Sequence, residues 1–96
     1  MPNRNYRAGR KREYQAIKEL KSYGWLTVRS AASHSPIDIV CLDWNKFLLI
    51  QVKPHKDKKA GKKELQSFTI SPMVEVTKEL WTYKKGIKEF NVETIK

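Results

Sequence analysis

Two apolar runs, Ile37–Leu42 and Phe47–Lys53, flank the polar stretch Asp43-Trp44-Asn45-Lys46. Runs rich in β-branched, aliphatic and aromatic residues, joined by a connection of common hairpin length, predict a β-hairpin. Symmetric closure sets Leu42 opposite Phe47, Val40 opposite Leu49 and Asp38 opposite Gln51. Side chains alternate between faces along a strand, so Lys53 shares the face of Gln51 and lies diagonal to Asp38. The pattern therefore predicts that an acid, an amide and an ammonium converge at one end of the hairpin.

Upstream, Tyr14, Ile17 and Leu20 recur at spacings of three, which predicts a helix from about Ala8 to Tyr23 with Gly24 as its stop. Trp25–Arg29 reads as a strand. It leads into Ser30-Ala31-Ala32-Ser33-His34-Ser35-Pro36, a loop of small residues that lets another backbone approach. Downstream, Lys53–Lys63 reads as an exposed basic loop and Lys62–Thr69 as a short helix with Leu65 and Phe68 facing inward, closed by Ser71-Pro72. Met73–Val76, Leu80–Tyr83 and Ile87–Thr94 read as strands, with Lys84-Lys85-Gly86 as the last turn. Trp25, Trp44 and Trp81 are expected to pack rather than stack on bases.

The length of 96 residues predicts one domain with a modest core. Charge changes the picture more: 20 Lys+Arg against 10 Asp+Glu leave a net +10, an excess that suits polyanions and above all nucleic acid. With no long apolar segment, signal-peptide core or lipidation motif, the chain reads as a soluble intracellular protein without a membrane partner. Arg4, Arg7, Arg10 and Arg12 crowd the N-terminus, where a basic arm is expected over about residues 1–7, and Lys56, Lys58, Lys59, Lys62 and Lys63 crowd the second basic segment. Both sets are candidate phosphate contacts, and both also suit a solvated surface. The single cysteine, Cys41, is expected to be a buried structural thiol. His34 and His55 lack the spacing of a zinc site, and no Ser-His-Asp signature stands out.

Glu13 lies four residues before Ile17 and so near the buried stripe. A carboxylate there either meets a cation or metal, or is held near the helix N-terminus by the macrodipole with Arg10 and Arg12.

Four blocks, Asn5-Tyr6-Arg7-Ala8-Gly9-Arg10-Lys11-Arg12-Glu13, Val28-Arg29-Ser30-Ala31-Ala32-Ser33, Ile37-Asp38-Ile39-Val40 and Leu48-Leu49-Ile50-Gln51-Val52-Lys53, follow one another over residues 5 to about 53. In order and approximate spacing they resemble the PD-(D/E)XK nuclease superfamily, and more closely the archaeal-type Holliday junction resolvases. The resemblance implies an α/β, restriction endonuclease-like fold with a mixed central sheet flanked by helices, a homodimer, a Mg²⁺ or Mn²⁺ site, and structure-selective cutting of branched DNA. It assigns Glu13 and Asp38 to acidic metal-site positions, Lys53 to the active-site lysine, and Arg29 and Ser30 to positions near the scissile phosphate. Gln51 departs from it, since the family normally has Glu there, although some relatives in the superfamily use Gln-x-Lys. Two other readings stand beside it: another nuclease of this superfamily, Mrr-like or phage-encoded, and a DNA-binding protein of the same fold that has lost cleavage.

The chemistry is consistent with the resemblance. Phosphodiester cleavage needs a hard cation held by oxygens, a source of hydroxide, and stabilisation of charge on the phosphate. Asp38 can hold the ion, Gln51 can offer its amide oxygen, Glu13 can ligate directly or through water, and Lys53 can orient water or stabilise the transition state. A four-way junction needs two cuts where the chain offers one site, so two copies are expected to act together, with a seam around Phe68–Met73.

Overall fold

The computed structural model describes residues 4–30, 35–43, 46–68 and 75–95, with the backbone alone for 4–8. Helix α1 (Arg4–Ser22) leads into strand β1 (Leu26–Arg29), followed by β2 (Ile39–Leu42) and β3 (Lys46–Pro54). A 3-10 turn (His55–Asp57) then runs into helix α2 (Lys58–Ser67), and strands β4 (Glu75–Tyr83) and β5 (Asn91–Ile95) complete the order. The strands form one sheet in the order β1-β2-β3-β4-β5. Among the described strands only β3 and β4 pair in parallel, and that connection contains α2, since parallel neighbours need a crossover rather than a tight turn. This is the mixed-sheet α/β, restriction endonuclease-like architecture that the resemblance implies.

The helices cover opposite faces. Ala16 and Leu20 of α1 pack on Ile39, Cys41, Leu48, Ile50, Val52 and Trp81. Leu65 of α2 packs with Ile37, Leu49, Leu80 and Ile95. Successive residues of β3 thus go to different cores, as the two-residue period requires, and Gln51 falls on the α2 face. Cys41 is fully buried, as expected.

Several boundaries differ from the sequence reading, each for a local reason. Helix α1 begins at Arg4 rather than Ala8, so residues 4–7, expected in the basic arm, have helical backbone, and Met1, Pro2 and Asn3 lie outside the described residues. Arg4 and Arg7 are good helix formers, and the helix needs no apolar stripe to continue outward. At the other end Gly24, with φ 95°, takes the left-handed conformation that terminates helices. The lysine-rich segment is no loop: it completes β3, turns once, and becomes α2 at Lys58, four residues before the expected start. The two separate strands expected at 73–76 and 80–83 are one, β4, because the polar residues between them are engaged. Lys78 Nζ donates to the Leu65 and Phe68 carbonyls at the end of α2, and Glu79 accepts from Trp81 Nε1. The last strand starts at Asn91, since Ile87 instead closes a turn on the Lys84 carbonyl at 3.1 Å. Ala31–His34, Trp44-Asn45, Thr69–Val74 and Lys96 lie outside the described residues, and with them most of the small-residue loop, the centre of the hairpin turn and nearly all of the expected dimer seam.

Candidate active site

The hairpin has the expected register, with Leu42 opposite Phe47 and Val40 opposite Leu49. It fails one residue later. Ile50 is the register partner of Ile39, yet its carbonyl also accepts the Asp38 N–H at 2.8 Å. Both residues therefore oppose Ile50, as in a β-bulge, and Asp38 does not sit across from Gln51. The neighbours record the same break: Ile37 packs in the α2 core and Ile39 in the α1 core, although an unbroken strand would send both to one face. The shift aims Oδ2 of Asp38 at the Val52 N–H, which donates to it at 2.7 Å. The Asp38 carbonyl accepts from the Ser30 N–H at 2.8 Å, so β1, β2 and β3 all fix this aspartate.

Burial pushes the Asp38 carboxyl up to about 6, against the Val52 N–H that favours its anion; Glu13 adds to the rise, while Lys53 and Arg29 oppose it. A carboxylate so poorly solvated gains from a cation placed against it. On the α1 side of Asp38, Glu13 Oε1 accepts from Arg29 Nε at 3.1 Å, and the Arg29 guanidinium lies 5.4 Å from the centre of the Tyr14 ring. Arg29 holds Glu13, rather than the Arg10 and Arg12 considered from sequence.

On the α2 side an open cavity of about 650 Å³ is lined by Asp38, Gln51, Lys53 and Glu64, with Val52 and Phe68 beside them. The structure thus brings three of the sequence candidates together and adds Glu64. Gln51 Nε2 donates to Glu64 Oε2 at 2.9 Å, and Lys53 Nζ lies 3.7 Å from Glu64 Oε1. Gln51 is 2% exposed, and its Oε1 has no hydrogen-bond partner among the described residues. Glu64 was absent from the sequence candidates because it follows a lysine run with no spacing of its own. Its one sequence signal is Gly61, three residues earlier on the same helix face. A Cβ at Gly61 would meet Gln51 Oε1 and Leu80 Cδ1 at 3.0 Å, so glycine lets α2 lie this close to β3 without displacing those side chains.

Among the described residues, no three of His, Cys, Asp and Glu gather as a metal site. The donors that do share the cavity are all oxygens, one of them buried and unpartnered, and this fits a hard divalent cation rather than a soft one.

The basic candidates divide. Arg12 donates through Nη2 to the Lys84 and Ile87 carbonyls at 2.9 and 2.6 Å and through Nη1 to the Lys88 carbonyl at 3.2 Å, and it stacks over Tyr83 and Phe90. It clamps the turn before β5. Lys58 and Lys62 reach Glu93 at 3.8 and 3.3 Å, whereas Lys56, Lys59 and Lys63 stand exposed around the start of α2. Arg10 approaches Tyr14, with 6.0 Å to the ring centre, and Arg4 and Arg7 lie in the first two turns of α1. No described helix is long and apolar enough to cross a membrane.

A family model described as archaeal Holliday junction resolvase (hjc) matches residues 4–79, a span that includes Glu13, Asp38, Gln51, Lys53 and Glu64. No curated protein matches the chain.

Proposed function

Because the chain belongs to the archaeal Holliday junction resolvase family, a family of nucleases, we propose that it is a metal-dependent endonuclease that resolves four-way DNA junctions by paired cuts from two copies of the chain. The observation that carries this reading is the cavity itself, where a desolvated carboxylate, an unpartnered amide oxygen and a lysine share one open space. Asp38 and Gln51 would hold the divalent ion, Mg²⁺ or Mn²⁺, and Glu13, on the α1 side, would ligate it directly or through water. When bound, the ion polarises the phosphodiester and lowers the pKa of water.

The chain's own residues do the rest. Lys53, which lines the cavity, would hold a water or meet negative charge on the reacting phosphate, and the Val52 N–H holds the Asp38 carboxylate. Arg29 keeps Glu13 in place, and Ser30 ties the end of β1 to Asp38. Lys56, Lys59 and Lys63, with Arg4, Arg7 and Arg10, supply phosphate contacts, while Lys58 and Lys62 reach phosphate only by leaving Glu93. A net charge of +10 supports a DNA partner.

Labelled four-way junction and linear duplex, each incubated with Mg²⁺ or with EDTA, test the activity. Junction cut in both arms' strands with Mg²⁺ alone is the expected result. Tight junction binding without cleavage in Mg²⁺ or Mn²⁺ would instead make the chain a cleavage-deficient binder, a reading favoured by Gln51 at the usual Glu position. Light scattering showing a monomer both free and on the junction would remove the dimer.

A further inference from the structure

Gln51 leaves β3 one negative charge short of the usual set, and the shortage is met in space by another element. Glu64 reaches the site because Gly61, one turn earlier, has no side chain to hold α2 away from Gln51, Leu80 and Lys53. Its two oxygens are directed at Gln51 Nε2 and Lys53 Nζ, and it lines the same cavity as Asp38. A carboxylate aimed merely at neutralising Lys53 would not explain the other half of the amide. Gln51 Oε1 is buried and, among the described residues, without a partner, a costly state for an amide oxygen. A half-turn of the amide plane exchanges its oxygen and nitrogen, and the oxygen then faces the Glu64 carboxylate. Two oxygens brought face to face repel unless a cation stands between them.

Resting on the reading of this cavity as a divalent-cation site, we infer that Glu64 is its second carboxylate ligand, supplied by α2 in place of the acid that β3 lacks, and that Gln51 turns its amide oxygen to the same ion. Asp38, Glu64 and the Gln51 amide give two carboxylates and one neutral oxygen, with water filling the remaining positions, the kind of set that Mg²⁺ accepts. Relative to a strand glutamate, the charge has moved from sheet to helix. The ion and Lys53 then compete for the Glu64 carboxylate, so cation binding frees the lysine.

Mn²⁺ titrated into the full chain without DNA, followed by calorimetry and by the signal of free Mn²⁺ in electron paramagnetic resonance, tests this directly. Glu64→Gln, which keeps size and hydrogen bonding, is expected to weaken Mn²⁺ about tenfold or more and to reduce the rise in melting temperature that Mn²⁺ gives the unaltered chain. Gln51→Glu combined with Glu64→Gln returns the charge to the strand and should recover most of the affinity, a rescue that a purely structural Glu64 would not give. Glu64→Asp provides a second variant should Glu64→Gln fail to fold.

Unchanged or tighter Mn²⁺ binding in Glu64→Gln overturns the inference, because Glu64 would then be a latch on Lys53. Absence of Mn²⁺ binding in the unaltered chain overturns it as well. The junction assay separates this result from the proposed function. A chain that binds Mn²⁺ through Glu64 and cuts nothing leaves the ligand assignment standing and sinks the resolvase reading. A chain that cuts junctions while Glu64→Gln binds Mn²⁺ normally does the reverse.

Discussion

Replacing Asp38 with Asn should make the metal-free protein more stable at neutral pH, although it removes the proposed anchor of the site. The folded carboxyl is raised from 3.8 to about 6, mainly because it is desolvated. The folded state therefore holds its proton more tightly than the unfolded chain, and stability falls as pH rises from about 4 to about 6. Below that interval both states are protonated and no cost arises; above it the cost is complete. Counted whole, the displacement amounts to about 3 kcal/mol. Water reaching the open cavity screens part of it, which leaves an expected gain of about 1–2 kcal/mol for Asp38→Asn at about pH 7.5. The asparagine oxygen can still accept the Val52 N–H, so the backbone tie survives. Urea unfolding in EDTA, at about pH 4 and about pH 7.5, reads the effect as a gap between variant and unaltered chain that opens only at the higher pH. Equal destabilisation at both pH values would refute the argument, because the Asp38 anion would then be well accommodated without a cation. The same variant is expected to bind junction DNA and not cut it.

Arg12→Ala removes three bonds to carbonyls and two stacking contacts, so a loss of about 1–3 kcal/mol in stability is expected. The salt dependence of DNA binding should not change; a log–log slope shallower by about 1 at unchanged stability would make Arg12 a phosphate contact instead. Gly61→Ala forces a Cβ to within 3.0 Å of Gln51 and Leu80, and overpacking of about 1–3 kcal/mol should outweigh the roughly 1 kcal/mol gained in helix propensity. A higher melting temperature in that variant would show that α2 shifts freely. Burial, with some help from Glu79, pushes the Cys41 thiol up to about 12, so a thiol reagent should label it only as the chain unfolds. Stoichiometric labelling of the native protein near neutral pH would contradict this.

The hairpin was legible in the sequence because its register follows from loop length and a period of two. Asp38 was placed at the correct end but opposite the wrong residue, since a bulge at a strand's last pair leaves no mark in an apolar pattern. Polarity misled in both directions. Thr77-Lys78-Glu79 looked like an interruption and is the middle of β4, where Lys78 caps a helix from the neighbouring layer. The lysine run looked like a loop and includes most of a helix, because lysine is a good helix former whose charge indicates exposure without specifying conformation. Glu13, Asp38 and Lys53 could be found from order and spacing. Glu64 could not, since its place in the site depends on a crossover that only the folded sheet defines.

That crossover also dictates when the site comes into being. Asp38 meets Val52, and Glu64 of α2 meets Gln51, across similarly short stretches of chain, so the hairpin and its helical wall both close locally, whereas β4 reaches β3 only from beyond α2. Pairings across longer stretches of chain form later than local ones. A chain with the hairpin and α2 in place already brings Asp38, Gln51, Lys53 and Glu64 together, and lacks the Leu80 support that β4 supplies behind Gly61. An ion bridging β3 and α2 should therefore speed folding as well as slow unfolding, because the contacts it joins form before β4 pairs with β3.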